Sequence, residues 1–114
     1  MQVLLNTDHH LNASDELAGR VEADVTDAID RFSDRVTRVE VHLNDENSSK
    51  AGAADKRCMM EARLRGHPPV AVTANAEAYD LALAAASDKL AKALDRILGR
   101  LDDKRAATEA SPGE

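Results

Sequence analysis

The sequence predicts one α+β domain with the element order β-α-β-β-β-α, in which two helices pack on one face of a four-stranded sheet. Three observations support this prediction. Four short segments place an apolar residue at every second position, the period of a half-buried strand. Two longer segments place apolar residues at helical spacing. The length of 114 residues is typical of one domain, so a single core must bury both kinds of stripe.

The first strand and the first helix are predicted in the N-terminal third of the chain. Residues 1–7 alternate as a strand, with Val3 and Leu5 on one face. A helix is predicted over residues 14–33, with Asn12 or Ser14 as its N-cap. Its apolar stripe consists of Leu17, Val21, Val25, Ala28 and Phe32, widened by Ala18 and Ile29. Its opposite surface is acidic and carries Glu22, Asp24, Asp27 and Asp30.

Three further strands are predicted in the middle of the chain. The clearest spans residues 37–43, where Val39, Val41 and Leu43 alternate with polar residues. Residues 57–65 alternate in the same way, with the inward positions Cys58, Met60, Ala62 and Leu64. Residues 66–69, Gly-His-Pro-Pro, predict a turn before a fourth strand over residues 70–74. The polar, small-residue composition of residues 44–55 is typical of a mobile loop.

The longest predicted element is a second helix that begins after Asn75 and ends near Asp103. Its apolar seam consists of Leu83, Leu90, Leu94, Ile97 and Leu101. The alanines between these positions favour helix. The predicted domain therefore spans residues 1–105, and we expect residues 106–114 to form a flexible tail.

Composition argues against several classes of protein. One Phe, one Tyr and no Trp leave almost no material for an aromatic platform that stacks unpaired bases. A formal net charge of −6 has the wrong sign for a protein that coats nucleic acid nonspecifically. Cys58 is the only cysteine, and this usage favours a reducing compartment, so we expect a cytoplasmic protein. We expect neither secretion nor membrane insertion, because no apolar run is long enough.

The charges of the second helix are segregated on a helical wheel of about 100° per residue. Its basic flank consists of Lys89, Lys92, Arg96, Arg100 and Lys104. Its acidic flank consists of Asp88, Asp95 and Asp102, and Asp103 alone intrudes on the basic side. A basic stripe of this length can follow an RNA phosphate backbone and release its counterions. The alternative is an ordinary solvated surface supported by local pairs such as Asp88 with Lys92.

No residue pattern predicts catalysis, a cofactor, a metal site or a small-molecule substrate. Cys58 alternates with core positions and has no activating partner, which favours a buried core residue. The histidines lack the i, i+4 spacing of a helical metal site, and no nucleotide-binding glycine motif is present. The outward sheet residues are interpreted as a structural surface of mixed cross-strand ion pairs: Arg38, His42, Arg57, Arg63 and Arg65 beside Glu40 and Glu61.

Six groups of residues, in order along the chain, match the pattern of a known family. They are Met1-Gln2-Val3, Phe32 with Asp34-Arg35-Val36, Val39 to Leu43, Lys56 to Glu61, Val72-Thr73-Ala74, and Asp88-Lys89-Leu90 with Leu94. In these groups the chain resembles the short hibernation-promoting factors, which are related to the ribosome-associated inhibitor proteins. The resemblance extends over residues 1 to 105 and implies a fold similar to that of double-stranded RNA-binding domains.

The resemblance also implies a function. It suggests a non-enzymatic stress protein that binds small-subunit ribosomal RNA and blocks translation on idle ribosomes, without requiring a homo-oligomer. It places RNA contacts on Lys89, Lys92, Arg96 and Arg100. We expect no counterpart of the second domain of the long family members, so that ribosome dimerisation would need another factor. An acidic first helix, where the family usually carries Lys, leaves a second hypothesis open: a regulatory module of the same fold whose acidic helix meets a basic protein and which does not bind the ribosome.

Overall fold

A computed structural model describes residues 1–7, 15–45 and 55–110, with side chains at 1–7, 16–45 and 55–100. The elements are β1 (Gln2–Thr7), α1 (Asp15–Ile29), β2 (Val36–Asp45), β3 (Lys56–Leu64), β4 (His67–Ala76) and α2 (Tyr79–Ala110). A short 3-10 turn, Asp30–Phe32, follows α1. The predicted α+β class and the order β-α-β-β-β-α are confirmed.

The four strands form one sheet in the order β1-β2-β3-β4. β1 runs parallel to β2, with Val3 opposite Val39, and α1 connects the two strands. β2, β3 and β4 are antiparallel neighbours, with Val41 opposite Met60 and Met60 opposite Val72. β1 and β4 are therefore the edges of the described sheet.

The core lies between the sheet and the two helices. The predicted inward residues of β2 and β3 are buried, among them Val39, Val41 and Met60 at 0% exposure. The helices cover this face with two stripes, Val21, Val25 and Ile29 from α1 and Leu83, Leu90 and Leu94 from α2. Both helices therefore pack on one face of the sheet, as predicted.

Small residues contribute more to this core than the apolar pattern suggested. Ala82, Ala86 and Ala93 of α2 are buried, because their short side chains allow the helix backbone to approach the sheet. Ala18, which was expected to widen the stripe of α1, is exposed, since the stripe turns towards Ile29 instead.

The turn before β4 is shorter than predicted. It consists of Arg65 and Gly66, with Leu64 directly opposite His67, and β4 begins at His67 rather than residue 70. The two prolines that indicated a turn lie inside the strand. Proline has no backbone N–H group. An edge strand tolerates it, because some of the N–H groups of such a strand point away from the neighbouring strand and are not needed for pairing.

The ends of the helices also differ from the prediction. α1 ends at Ile29, and the 3-10 turn carries the chain to Phe32, which is buried. α2 continues to Ala110, and the flexible tail over residues 106–114 stays a prediction. Of the expected loop 44–55, the first two residues belong to β2. Residues 46–54, the expected caps Asn12 and Ser14, and residues 111–114 lie outside the described residues.

Candidate nucleic-acid interface

The packing of α2 places its basic flank beside β4. The ammonium group of Lys89 donates a hydrogen bond of 2.8 Å to the backbone carbonyl of Thr73, in the middle of that strand. Because β4 is an edge of the sheet, the flank that follows Lys89 along α2 is turned outward, away from α1.

Two carboxylates of α2, Asp80 and Asp95, lie on the side of that helix that faces α1. Arg31 reaches Asp95 at 3.9 Å, and Arg20 reaches Asp80 at 4.0 Å. These pairs are long and exposed, so each contributes little to stability. They nevertheless show that Arg20 of α1 and Arg31 of the 3-10 turn lie near two carboxylates of α2, whereas Asp88 pairs with Lys92.

We define the basic stripe as Lys89, Lys92, Arg96 and Arg100, all of which are exposed. Lys92 forms the predicted local pair with Asp88, at 3.0 Å. No ion pair within the described side chains involves Arg96 or Arg100, so their charge is directed to solvent or to a partner. Lys104 lies in α2 one turn further on, and its side chain is outside the described ones.

The outer surface of α1 has the opposite charge. Glu22, Asp27 and Asp30 line a shallow groove of about 540 Å³ together with small residues of the same helix. None of the three forms an ion pair with another described side chain. The molecule therefore carries a negative surface on α1 and a positive one on the far flank of α2.

The open face of the sheet, which neither helix covers, carries a cluster of ion pairs. Arg38 stands opposite Arg63, and Glu40 opposite Glu61, an arrangement that places like charges across from each other. Ion pairs along and across the strands compensate for this repulsion. Arg63 lies 3.1 Å from Glu61 and 3.7 Å from Glu40. Arg38 lies 3.9 Å from Glu40. The predicted mixed ion pairs are confirmed for these residues.

One contact cluster was not predicted from the sequence. The ammonium group of Lys56 lies 3.0 Å from Asp55, 3.2 Å from Asp45 and 5.7 Å from the ring centre of Tyr79. It joins the end of β2 to the starts of β3 and α2. The hydrogen bonds to Asp55 and Asp45 raise the pKa of Lys56 above 10.5. Sequence spacing gave no signal for this cluster, because two of the partners are distant along the chain.

Other candidate sites are weaker. Cys58 is fully buried, and this burial raises the pKa of its thiol to about 12, so it is a core residue as predicted. Within the described side chains, no cluster of three or more His, Cys, Asp or Glu residues could hold a metal ion. The described helices include none that is long and apolar enough to cross a membrane.

Two solved structures have a similar fold. The crystal structure of the Thermus thermophilus Protein Y N-terminal domain is 21% identical, with a TM-score of 0.62 over 84% of this chain and 94% of that one. The structure of a ribosomal subunit interface protein from Coxiella burnetii is 15% identical, with a TM-score of 0.66 over 87% and 99%. A search of curated proteins gave no match.

These features define the class of small α+β domains that have the fold of both solved structures. The family described as Sigma 54 modulation protein / S30EA ribosomal protein matches residues 6–105, and the chain belongs to it. The resemblance inferred from the sequence is thereby confirmed.

Proposed function

We propose that this protein is a cytoplasmic hibernation factor that binds small-subunit ribosomal RNA and blocks translation on idle ribosomes. The basic stripe holds the RNA phosphates, with Arg96 and Arg100 as its principal cations and Lys104 extending it. Family membership supports the association with ribosomes. The positive charge and the exposed position of the basic stripe support the RNA contact.

The observation that carries the proposal is the separation of charge across α2. A chain with 21 acidic and 15 basic residues repels RNA on average. The carboxylates of α2 nearest α1 meet Arg20 and Arg31, and the basic stripe is exposed on the opposite flank. RNA approaching from the β4 side therefore meets four cations before it meets the acidic surface of α1.

The experiment is co-sedimentation of the protein with purified small ribosomal subunits at low and moderate salt. Wild-type protein should bind saturably and less tightly as salt rises. The double variant Lys92→Glu, Arg96→Glu should bind at least about tenfold more weakly and with a smaller salt dependence, because two phosphate contacts become repulsive.

The matched control is Arg20→Glu, Arg31→Glu, which makes the same change in net charge on the opposite side of α2. Both residues are about 60% exposed at the side chain, 59% and 61%, so the control should fold. Its binding should stay close to that of wild type. Equal weakening by both pairs would mean that only net charge matters, and the proposal would be wrong.

A second candidate function requires the same fold but no binding to the ribosome. Glu22 and Asp27 of α1 and Asp30 of the 3-10 turn, which form no ion pair with another described side chain, favour a regulatory module that binds a basic protein. The same sedimentation experiment separates the two hypotheses. Absence of wild-type binding to small subunits at low salt would favour the module.

A further inference from the structure

The open face of the sheet is divided along its strands into two regions of different chemistry. One region is the ion-pair cluster of Arg38, Glu40, Glu61 and Arg63. The other lies nearer the ends of β1 and β2 and is here called the polar patch. Its members are neighbours in the strand register: Asn6 opposite His42, His42 opposite Met59, Met59 opposite Thr73, and Asn44 opposite Arg57.

The polar patch contains no carboxylate among its described residues, although the whole chain has 21. The carboxylate at the end of β2, Asp45, belongs to the Lys56 cluster instead. Glu40 and Glu61 are the next acidic residues along the open face, and Arg63 is within ion-pair distance of both. Among the described residues, an anion over the polar patch thus meets the cationic Arg57 and the imidazole of His42, and the nearest carboxylates of the open face lie beside Arg63.

A depression of about 320 Å³ lies over this patch, lined by Asn6, Thr7, His42, Leu43, Asn44, Arg57 and Met59. The two Asn amides offer both donors and acceptors, which suit the edge of a nucleobase. The imidazole ring and the thioether offer a surface on which a base can lie. The guanidinium group suits a phosphate.

The β4 edge lies between the basic stripe, on the helix side of the sheet, and the polar patch, on the open side. Thr73, whose carbonyl accepts the hydrogen bond from Lys89, stands in the same row of the sheet as Met59 and His42. Neighbouring strands are about 4.8 Å apart, so this row leads from the β4 edge to His42 in about 10 Å. A strand of RNA that leaves the stripe at Lys89 can therefore reach the patch by passing round the β4 edge to the open face.

We propose that the polar patch binds one unpaired nucleotide of the RNA whose phosphates lie along the basic stripe. The base lies on His42 and Met59 with its edge towards the Asn side chains, and its phosphate faces Arg57. This inference rests on the proposed function, since the stripe supplies most of the affinity and the patch selects an unpaired nucleotide at one position.

The test compares two isosteric changes on one strand, Asn6→Asp and Gln2→Glu. Both residues lie on β1, are exposed and face the open side of the sheet, and each change converts an amide into a carboxylate. They are four residues apart along the strand, or about 13 Å, which exceeds the screening length at 0.1 M salt. Only Asn6 belongs to the patch.

Binding to purified small ribosomal subunits at about 0.1 M salt should be about fivefold weaker for Asn6→Asp and unchanged within about twofold for Gln2→Glu. Thermal melting curves check that both variants fold. If wild type binds and Asn6→Asp binds equally well, or if both variants weaken alike, the inference is overturned while the proposed function stands. If wild type itself does not bind, both are overturned.

Discussion

Single residues in this domain take their properties from burial and from neighbours distant in sequence. The thiol of Cys58 has a pKa of about 12 because it is buried, so it stays protonated at neutral pH. Lys56 has a raised pKa because two carboxylates accept hydrogen bonds from it. Its contribution to stability is therefore present below pH 10.5 and is lost as the pH rises through the higher pKa of the folded state.

Gly66 and Gly99 have different backbone conformations, and we therefore predict opposite effects on stability when each is replaced by alanine. Gly66 has φ of 69° in the turn before β4, whereas Gly99 lies inside α2; a Cβ would have open space at both positions. Gly66→Ala should lower the free energy of unfolding by about 1 kcal/mol, because the left-handed conformation strains other residues. Gly99→Ala should raise it by up to about 1 kcal/mol, because alanine favours helix.

Urea unfolding of both variants measures this difference as opposite shifts of the midpoint at constant m-value. A shift in the same direction for both would show that backbone conformation does not decide the outcome at these two positions.

At the scale of elements, α2 connects the core to the candidate interface. Its inward face includes Leu94 at 0% exposure, while Leu81 on the same helix is 54% exposed. Any loss of the inward packing would also release the basic stripe from its place beside β4. The position of the basic stripe therefore depends on the stability of α2.

Replacement of each leucine by aspartate tests this packing. Leu94→Asp should cost roughly 4 kcal/mol or more, because it buries a charge in a domain whose total stability is about 5–15 kcal/mol. Leu81→Asp should change stability by less than about 0.5 kcal/mol, because its side chain is already in water. Circular dichroism during urea unfolding gives both values. A folded Leu94→Asp protein with wild-type stability would contradict the observed helix face.

At the scale of the whole molecule, the distribution of charge over the surface matters more for the proposed RNA binding than the net charge does. The net charge of −6 is distributed with its acidic surface on α1 and its basic stripe on the far flank of α2. Under the proposed function, this molecule presents the basic stripe to RNA and keeps the acidic surface turned away from it. The count of cations then sets the salt dependence of binding, because each phosphate contact releases counterions.

This count gives a quantitative prediction for wild-type binding to small subunits. If the four described cations of the stripe all meet phosphates, the slope of log affinity against log salt should be about −3, and about −4 if Lys104 joins them. The slope comes from binding curves at four or more salt concentrations. A slope near zero would exclude phosphate contacts as the source of affinity.

The sequence alone determined the type and order of the elements, most core positions and the segregation of charge on α2, because each follows from a short period of 2 or 3.6 residues. Val39 to Leu43 and the alternation at Cys58 and Met60 are local signals of this kind. Tertiary packing alone decided which flank of α2 lies beside β4 and which lies near Arg20 and Arg31. It also formed the Lys56 cluster and separated the polar patch from the ion-pair cluster. These features join residues far apart in the chain, and a local pattern contains no information about which surfaces the folded chain brings together.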